Sequence, residues 1–147
     1  MYYIEKYYPF TLALLLTFLV KEFQHFLVDF AKLIPSIATN SLTISGTLLG
    51  FLLTILTIIN TINTRRMQFV KDSGHFPRLV SFLNWAIKAN ILVVITSFLV
   101  IFLDRGKIDL KYMNYYDLSF IFISLFAIFL TVRFAAIFIK LLADKNG

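Results

Sequence analysis

The clearest chemical pattern in this sequence is a row of hydroxyl and small side chains in "TISGTLLGFLLTILTIINTINT", the uncharged stretch from Thr43 to Thr64. Small or polar residues recur at alternating steps of four and three, and the row extends from Ser36 to Lys71. This spacing keeps the side chains on one seam of a helix that winds around a partner. The central members, which we call the polar stripe, are Asn40, Thr43, Thr47, Gly50, Thr54, Thr57, Thr61 and Thr64.

Inside a bilayer, the polar stripe has two physical uses. Helices in lipid associate through small residues and shared hydrogen bonds, and Gly46 with Gly50 forms a GxxxG pair that favours such packing. Alternatively, copies of this helix around an axis line a pore with hydroxyl groups, which hold water more readily than leucine does. A symmetric homo-oligomer combines both uses, since it packs along this face and encloses water within it.

A second group of polar residues, Glu22, His25 and Asp29, follows the first apolar run. These side chains either line an ion vestibule or form the polar face of a helix that lies on the external surface of the membrane. Glu22-x-x-His25 is half of a di-metal motif, but a second such pair is missing, so we predict no metal site. The sequence also shows no nucleophile–base pair or phosphate loop, and we predict neither enzymatic activity nor a cofactor.

Basic residues form the third group, and the formal net charge is +6. They either touch anionic lipid headgroups or attract anions and an acidic cytosolic protein. In a membrane protein such a charge reports orientation first, so we predict no direct binding of nucleic acid. The members of this group are Arg65, Arg66, Lys71, Arg78, Lys88 and Arg133.

The composition indicates which elements position these residues. Hydrophobic residues make up 59% of the chain and charged residues only 15%, which favours an integral membrane protein. We predict an all-α helical bundle with four transmembrane helices in one domain, residues 1–147, that forms a homo-oligomer. The predicted spans cover about residues 7–30, 37–63, 82–103 and 118–139.

The first span is the weakest of the four, because its charge-free run from Tyr7 to Val20 has only 14 residues. That run is about 21 Å long, shorter than the ~30 Å hydrocarbon core. We therefore expect this helix to continue through the polar segment as far as Ile34. Prolines tolerate the first turn of a helix, so Pro9 and Pro77 are predicted helix starts.

Charge distribution predicts the orientation. With the termini and the loop after the second span on one side, that side holds nine basic residues and the other side holds five. The positive-inside rule then places both termini in the cytoplasm. Aromatic residues are expected at both membrane surfaces: Tyr2, Tyr3, Tyr7, Tyr8 and Trp85 inside, and Tyr112, Tyr115 and Tyr116 outside.

Residues 41–100 resemble the RexB family of phage-exclusion membrane proteins. The similarity is carried by "SGTLLGFLLTILTI", by "TRR" ending at Arg66, and by a glycine at Gly74 before the next apolar helix. It implies a small bacterial inner-membrane ion channel that opens when a soluble sensor detects infection and then depolarises the membrane. The positions that match the family are Gly46, Thr47, Arg65, Arg66 and Gly74.

From these observations, the sequence predicts an oligomeric, regulated pore acting in abortive-infection defence. Its expected partners are membrane lipids, further copies of itself and a soluble cytosolic protein. The alternative is a non-conducting transmembrane anchor or sensor subunit that recruits a soluble effector, in which the polar stripe serves only for helix packing.

Overall fold

A computed structural model of the chain describes residues 2–23, 30–61, 76–102 and 110–143. All of these residues are helical, which confirms the all-α prediction for the described part of the chain. The four helices are α1 (Tyr2–Phe23), α2 (Phe30–Thr61), α3 (Phe76–Phe102) and α4 (Leu110–Ala143).

Among the described residues, three helical stretches are long and apolar enough to cross a membrane: Lys32–Thr61, Phe76–Phe102 and Tyr112–Lys140. The chain therefore has the character of a multi-pass membrane protein. Helix α1, whose side chains are described only from Tyr7 to Phe23, is not among these three stretches. Three of the four predicted spans thus have a suitable helix, and the first span remains a prediction.

The predicted end of the first helix is wrong. Phe30 and Ile34, which we placed on the first helix, belong to α2. Ile34 is 0% exposed and packs with Ala38, Val100 and Phe120. This burial explains why the segment joins the second helix, because its apolar side chains find their partners on α3 and α4 rather than along α1.

The two prolines differ from each other. Pro77 is the second residue of α3, where a proline needs no intrahelical N–H bond, as predicted. Pro9 instead lies inside α1, which begins seven residues earlier at Tyr2, so its assignment as a helix start is wrong. Pro9 is buried, and the neighbouring Phe10 makes edge-to-face contacts with Phe122 and Phe126 of α4.

Helix α3 lies between α2 and α4, while α1 packs against the opposite flank of α4. The main core joins Leu52 and Ile59 of α2 to Leu83 of α3 and to Leu130 and Phe134 of α4. This order leaves α2 at one end of the row of helices and α1 at the other.

One hydrogen bond fixes the register of α3 against α4: Asn90 Nδ2 donates to Thr131 Oγ1 at 2.9 Å. The helices run antiparallel, since Val100 and Phe120 meet in the same cluster. Trp85 lies five residues before Asn90 on α3, and Tyr116 lies fifteen residues before Thr131 on α4. Because the helices are antiparallel, the two offsets point in opposite directions along the axis and add up. At 1.5 Å per residue, these two exposed aromatic rings are separated by about 30 Å along the helix axes. That separation equals the typical hydrocarbon thickness and agrees with Trp85 and Tyr116 lying at opposite membrane surfaces, while the assignment of Trp85 to the inner surface stays a prediction.

Candidate functional site

The polar stripe lies on the exposed side of α2. Its described members, Asn40 to Thr61, are all exposed at the surface of the single chain, and Thr64 lies outside the described residues. The buried face of α2 carries Ala38, Ser45, Leu52 and Ile59, spaced seven residues apart.

These two faces of α2 point in nearly opposite directions. Each residue turns the helix by about 100°, and a stripe residue such as Thr43 stands two positions from the buried Ser45, a rotation of about 200°. The same relation holds for Thr57 and Ile59, or Gly50 and Leu52. The polar stripe therefore takes no part in packing α2 against α3, and the full described length of the row is available to another surface.

Gly46 and Gly50 confirm that this side of α2 is open. A Cβ atom built on either glycine would meet nothing within 4 Å. Among the described residues, no other helix of the same copy therefore contacts the GxxxG pair.

The threonine hydroxyls of the stripe bond to the backbone of their own helix. Thr43 Oγ1 donates to the Thr39 carbonyl at 3.1 Å, and Thr47 Oγ1 donates to the Thr43 carbonyl at 2.9 Å. The remaining described threonines follow the same i to i−4 pattern, with bonds from Thr54 to Gly50, Thr57 to Leu53 and Thr61 to Thr57. Each hydroxyl hydrogen is thus satisfied before any partner arrives.

This bonding pattern limits what the stripe can do chemically. A threonine hydroxyl has one hydrogen to donate and two lone pairs to accept with. Because the hydrogens point along the helix, the described threonines offer only acceptor lone pairs and methyl groups, whereas the Asn40 amide keeps its N–H donors. Such a surface tolerates lipid, packs closely against a second helix, and favours cations over anions where it meets water.

The basic residues are only partly described. Arg65, Arg66 and Lys71 lie outside the described residues, so their predicted grouping is not tested. Arg78 and Lys88 are exposed on α3.

Arg133 of α4 shows how a basic residue sits within a span. In the register set by Asn90 and Thr131, its backbone is level with Lys88. Its guanidinium, however, lies 4.2 Å from the ring centroid of Phe82, six residues nearer the start of α3. The charged group is therefore directed from its own backbone toward the start of α3, the membrane edge marked by Trp85. This agrees with a snorkelling arginine, supported here by a cation–π contact.

The predicted ion vestibule receives no support from the described residues. Glu22 is exposed in the last turn of α1, and His25 and Asp29 lie outside the described residues. No group of three or more metal-ligating side chains occurs among the residues that the structure describes.

The sequence reading missed a buried polar row between α3 and α4. It consists of the bonded pair Asn90 and Thr131 together with Ser97 and Ser124. In the described part of the chain, Asn90 Oδ1, Ser97 Oγ and Ser124 Oγ are buried without a hydrogen-bond partner. An asparagine in the middle of an apolar span is itself a signal for a helix contact in membranes. This row has only two residues on each helix, so it produces no repeat in the sequence.

Comparisons with protein-family models, curated proteins and solved structures give no match for this chain. The similarity of residues 41–100 to the RexB family thus remains a prediction from the sequence.

Proposed function

We propose that this chain is a multi-pass membrane protein whose copies associate around α2 and enclose a regulated pore. The observation that carries the proposal is the position of the polar stripe, which is continuous, exposed and opposite the face that packs on α3. A membrane protein gains little by placing seven small or polar residues in a row toward acyl chains. A second copy of the same helix is a better neighbour for such a row.

Self-association explains both the spacing and the residue types. A 3.5-residue repeat keeps the stripe facing a symmetry-related helix over the full span. Open glycines at 46 and 50 permit close backbone approach. The opposite face remains attached to α3, so each copy contributes α2 to the centre and the other helices to the periphery.

The proposed pore prefers cations. The stripe hydroxyls donate to their own helix and leave only lone pairs for a permeating ion. Oxygen lone pairs replace the hydration shell of a cation, whereas an anion needs donors. In a KCl gradient, the reversal potential is expected to have the sign of a potassium-selective conductance.

Gating rests on the apolar residues beside the stripe. Phe51 and Leu53 are exposed next to Gly50 and Thr54, whereas Leu56 packs against the core. In the closed pore, Leu53, about 60° from Gly50 around the helix, occludes the axis by excluding water, and rotation of α2 brings the hydroxyls inward. Phe51 lies on the other flank of the stripe, about 100° from Gly50. Because Leu56 is held by the core, a rotation of this kind has to involve α3.

The proposed biological setting is abortive-infection defence at the bacterial inner membrane, with both termini cytoplasmic. It rests on the similarity of residues 41–100 to the RexB family and on the charge distribution. A soluble sensor would act on the basic segment that contains Arg65 and Arg66. The pore proposed from the geometry of α2 does not depend on this biological setting.

Ion flux through liposomes tests the pore. Purified protein is reconstituted, a potential is applied, and cation flux is compared with that of Thr54→Leu combined with Thr57→Leu. We expect at least a roughly tenfold loss of flux, because leucine dewets the path. The matched control is Thr11→Leu on α1, an exposed threonine that also bonds to its own helix. Absence of flux under all voltages, or equal loss in the control, contradicts the pore.

The second candidate, a non-conducting anchor, is favoured by one observation. Each described threonine of the stripe is already satisfied, so the row requires no water. The anchor predicts no flux in any variant and a cytosolic partner that co-purifies with the wild type. Charge reversal at Arg65 and Arg66 would then release that partner, with a topology reporter to show that orientation is unchanged.

A further inference from the structure

The first half of α3 carries a polar pocket that the proposed pore does not use. An open groove of about 540 Å³ lies along this helix, with Ser81, Asn84, Trp85 and Lys88 on its wall, Val80 beside them, and Phe76 and Pro77 at its end. These polar residues are spaced three and four apart, so they share one face of α3. The side chains of Trp85 and Lys88 are exposed there, away from the core that joins α3 to its neighbours.

The depth of this pocket corresponds to the edge of the membrane. Trp85 stands about 30 Å from the level of Tyr116, which marks the other aromatic belt. The Arg133 guanidinium reaches toward the same edge and lies over Phe82. The backbone of Lys88 is only a few residues inside this level, so its long side chain can bring the ammonium group up to the headgroups. The pocket thus spans the boundary between headgroups and hydrocarbon.

The chemistry of the wall is complementary to a phosphodiester. The Lys88 ammonium, the Asn84 amide and the Ser81 hydroxyl are all hydrogen-bond donors, and the ammonium supplies positive charge. Of the described residues that line the groove, none is acidic. Trp85 adds an amphipathic ring of the kind that sits at headgroup depth.

We infer that this pocket binds the phosphate headgroup of an anionic phospholipid. The lipid phosphate accepts from Lys88 and Asn84, and its glycerol and upper acyl chain lie against Trp85. This goes beyond the pore and does not depend on it, since a monomeric anchor would carry the same pocket. A bound headgroup fixes the depth of α3, the helix that holds α2.

Tryptophan fluorescence tests this directly, because Trp85 is the single tryptophan of the chain and lies in the pocket. The full-length protein is reconstituted in vesicles whose two leaflets have the same composition. Brominated phosphatidylglycerol in unlabelled phosphatidylcholine is compared with brominated phosphatidylcholine in unlabelled phosphatidylglycerol, at equal mole fractions of the quencher. A basic residue near the surface contributes ≈ 1 kcal/mol, so we expect phosphatidylglycerol to occupy the site about fivefold more than phosphatidylcholine.

Two variants and one competitor make the result specific. Lys88→Gln is expected to abolish the preference for phosphatidylglycerol. Lys140→Gln, which removes an exposed lysine on α4, is expected to leave it intact. Equal quenching by both lipids in the wild type, or equal loss in both variants, overturns the inference. If millimolar inorganic phosphate removes the preference, the site binds soluble phosphate and the lipid assignment is wrong.

Discussion

The polar stripe of α2 and the buried polar row between α3 and α4 are built from similar residues but are used differently. On α2, threonines are exposed and donate to carbonyls four residues earlier. Between α3 and α4, Asn90 is 1% exposed and donates across the interface to Thr131. The exposed row is satisfied within one helix, whereas the buried row ties two helices together.

The buried row also follows a regular register. Ser97 lies seven residues after Asn90, and Ser124 lies seven residues before Thr131. Because the helices are antiparallel, both serines fall about 10.5 Å from the Asn90–Thr131 bond, at the same level. The comparison teaches that hydroxyls alone do not distinguish a structural contact from a free surface. What distinguishes them is whether the side chain also bonds to another helix: Asn90 Nδ2 donates to the Ala86 carbonyl of its own helix and to Thr131, whereas the described threonines of the stripe bond only to their own backbone.

The largest effect on folding is expected at Asn90. Asn90→Ala removes the bond to Thr131 and leaves a small cavity, which destabilises the fold by about 1–2 kcal/mol. Unfolding of the reconstituted protein, followed by steric trapping or denaturant titration, measures this change. An unchanged or higher stability would show that the unpaired Oδ1 atom costs as much as the bond contributes.

The sequence predicts the polar stripe well because eleven positions in a strict repeat, from Ser36 to Lys71, leave little doubt about a shared face. It does not reveal which face of α2 is packed, since the buried residues from Ala38 to Ile59 have the same 3.5-residue repeat. It also does not reveal the partner of Asn90. That partner is 41 residues away, and its identity follows from the antiparallel register of two long helices.

A matched pair of substitutions separates the two rows more finely. Thr131→Val and Thr57→Val both replace a hydroxyl by a methyl group of similar size. Thr131 accepts from Asn90 and donates to the Ala127 carbonyl. Removing its hydroxyl is therefore expected to lower the free energy of unfolding by about 1 kcal/mol. Thr57 donates only to Leu53 of its own helix and accepts from no described side chain. The Thr57→Val substitution is therefore expected to change the free energy of unfolding by nearly zero.

The measurement is the difference between the two free energies of unfolding under one set of conditions. Similar values for Thr131→Val and Thr57→Val would remove the distinction between a buried and an exposed row. Cation flux provides the complementary reading, because Thr57→Val is expected to reduce it while Thr131→Val leaves it unchanged in the fraction of protein that is folded.

In the described part of the chain, each predicted span falls on a helix, but the helices are longer than the spans. Helix α2 already includes Phe30, although the span was predicted from residue 37, and α3 already includes Phe76, although the span was predicted from residue 82. Apolar runs mark the part of a helix that lies in lipid, whereas backbone hydrogen bonds continue wherever the side chains permit. Tertiary contacts decide the rest, as Ile34 shows by packing against Val100 and Phe120.

The smallest expected effect, and the one most specific to self-association, is that of Gly50→Ala. In a single copy the added methyl group meets nothing, and alanine favours the helix, so the isolated chain gains roughly half a kcal/mol. In an oligomer packed along the polar stripe, the same methyl group separates the helices and weakens association. Energy transfer between labelled copies, diluted with lipid, measures that loss. Asn60 is exposed on α2 but lies outside the stripe. Asn60→Ala should therefore raise the stability of the single chain through helix propensity without weakening association. If Gly50→Ala raises stability and leaves association unchanged, then α2 does not meet its symmetry mates through this face.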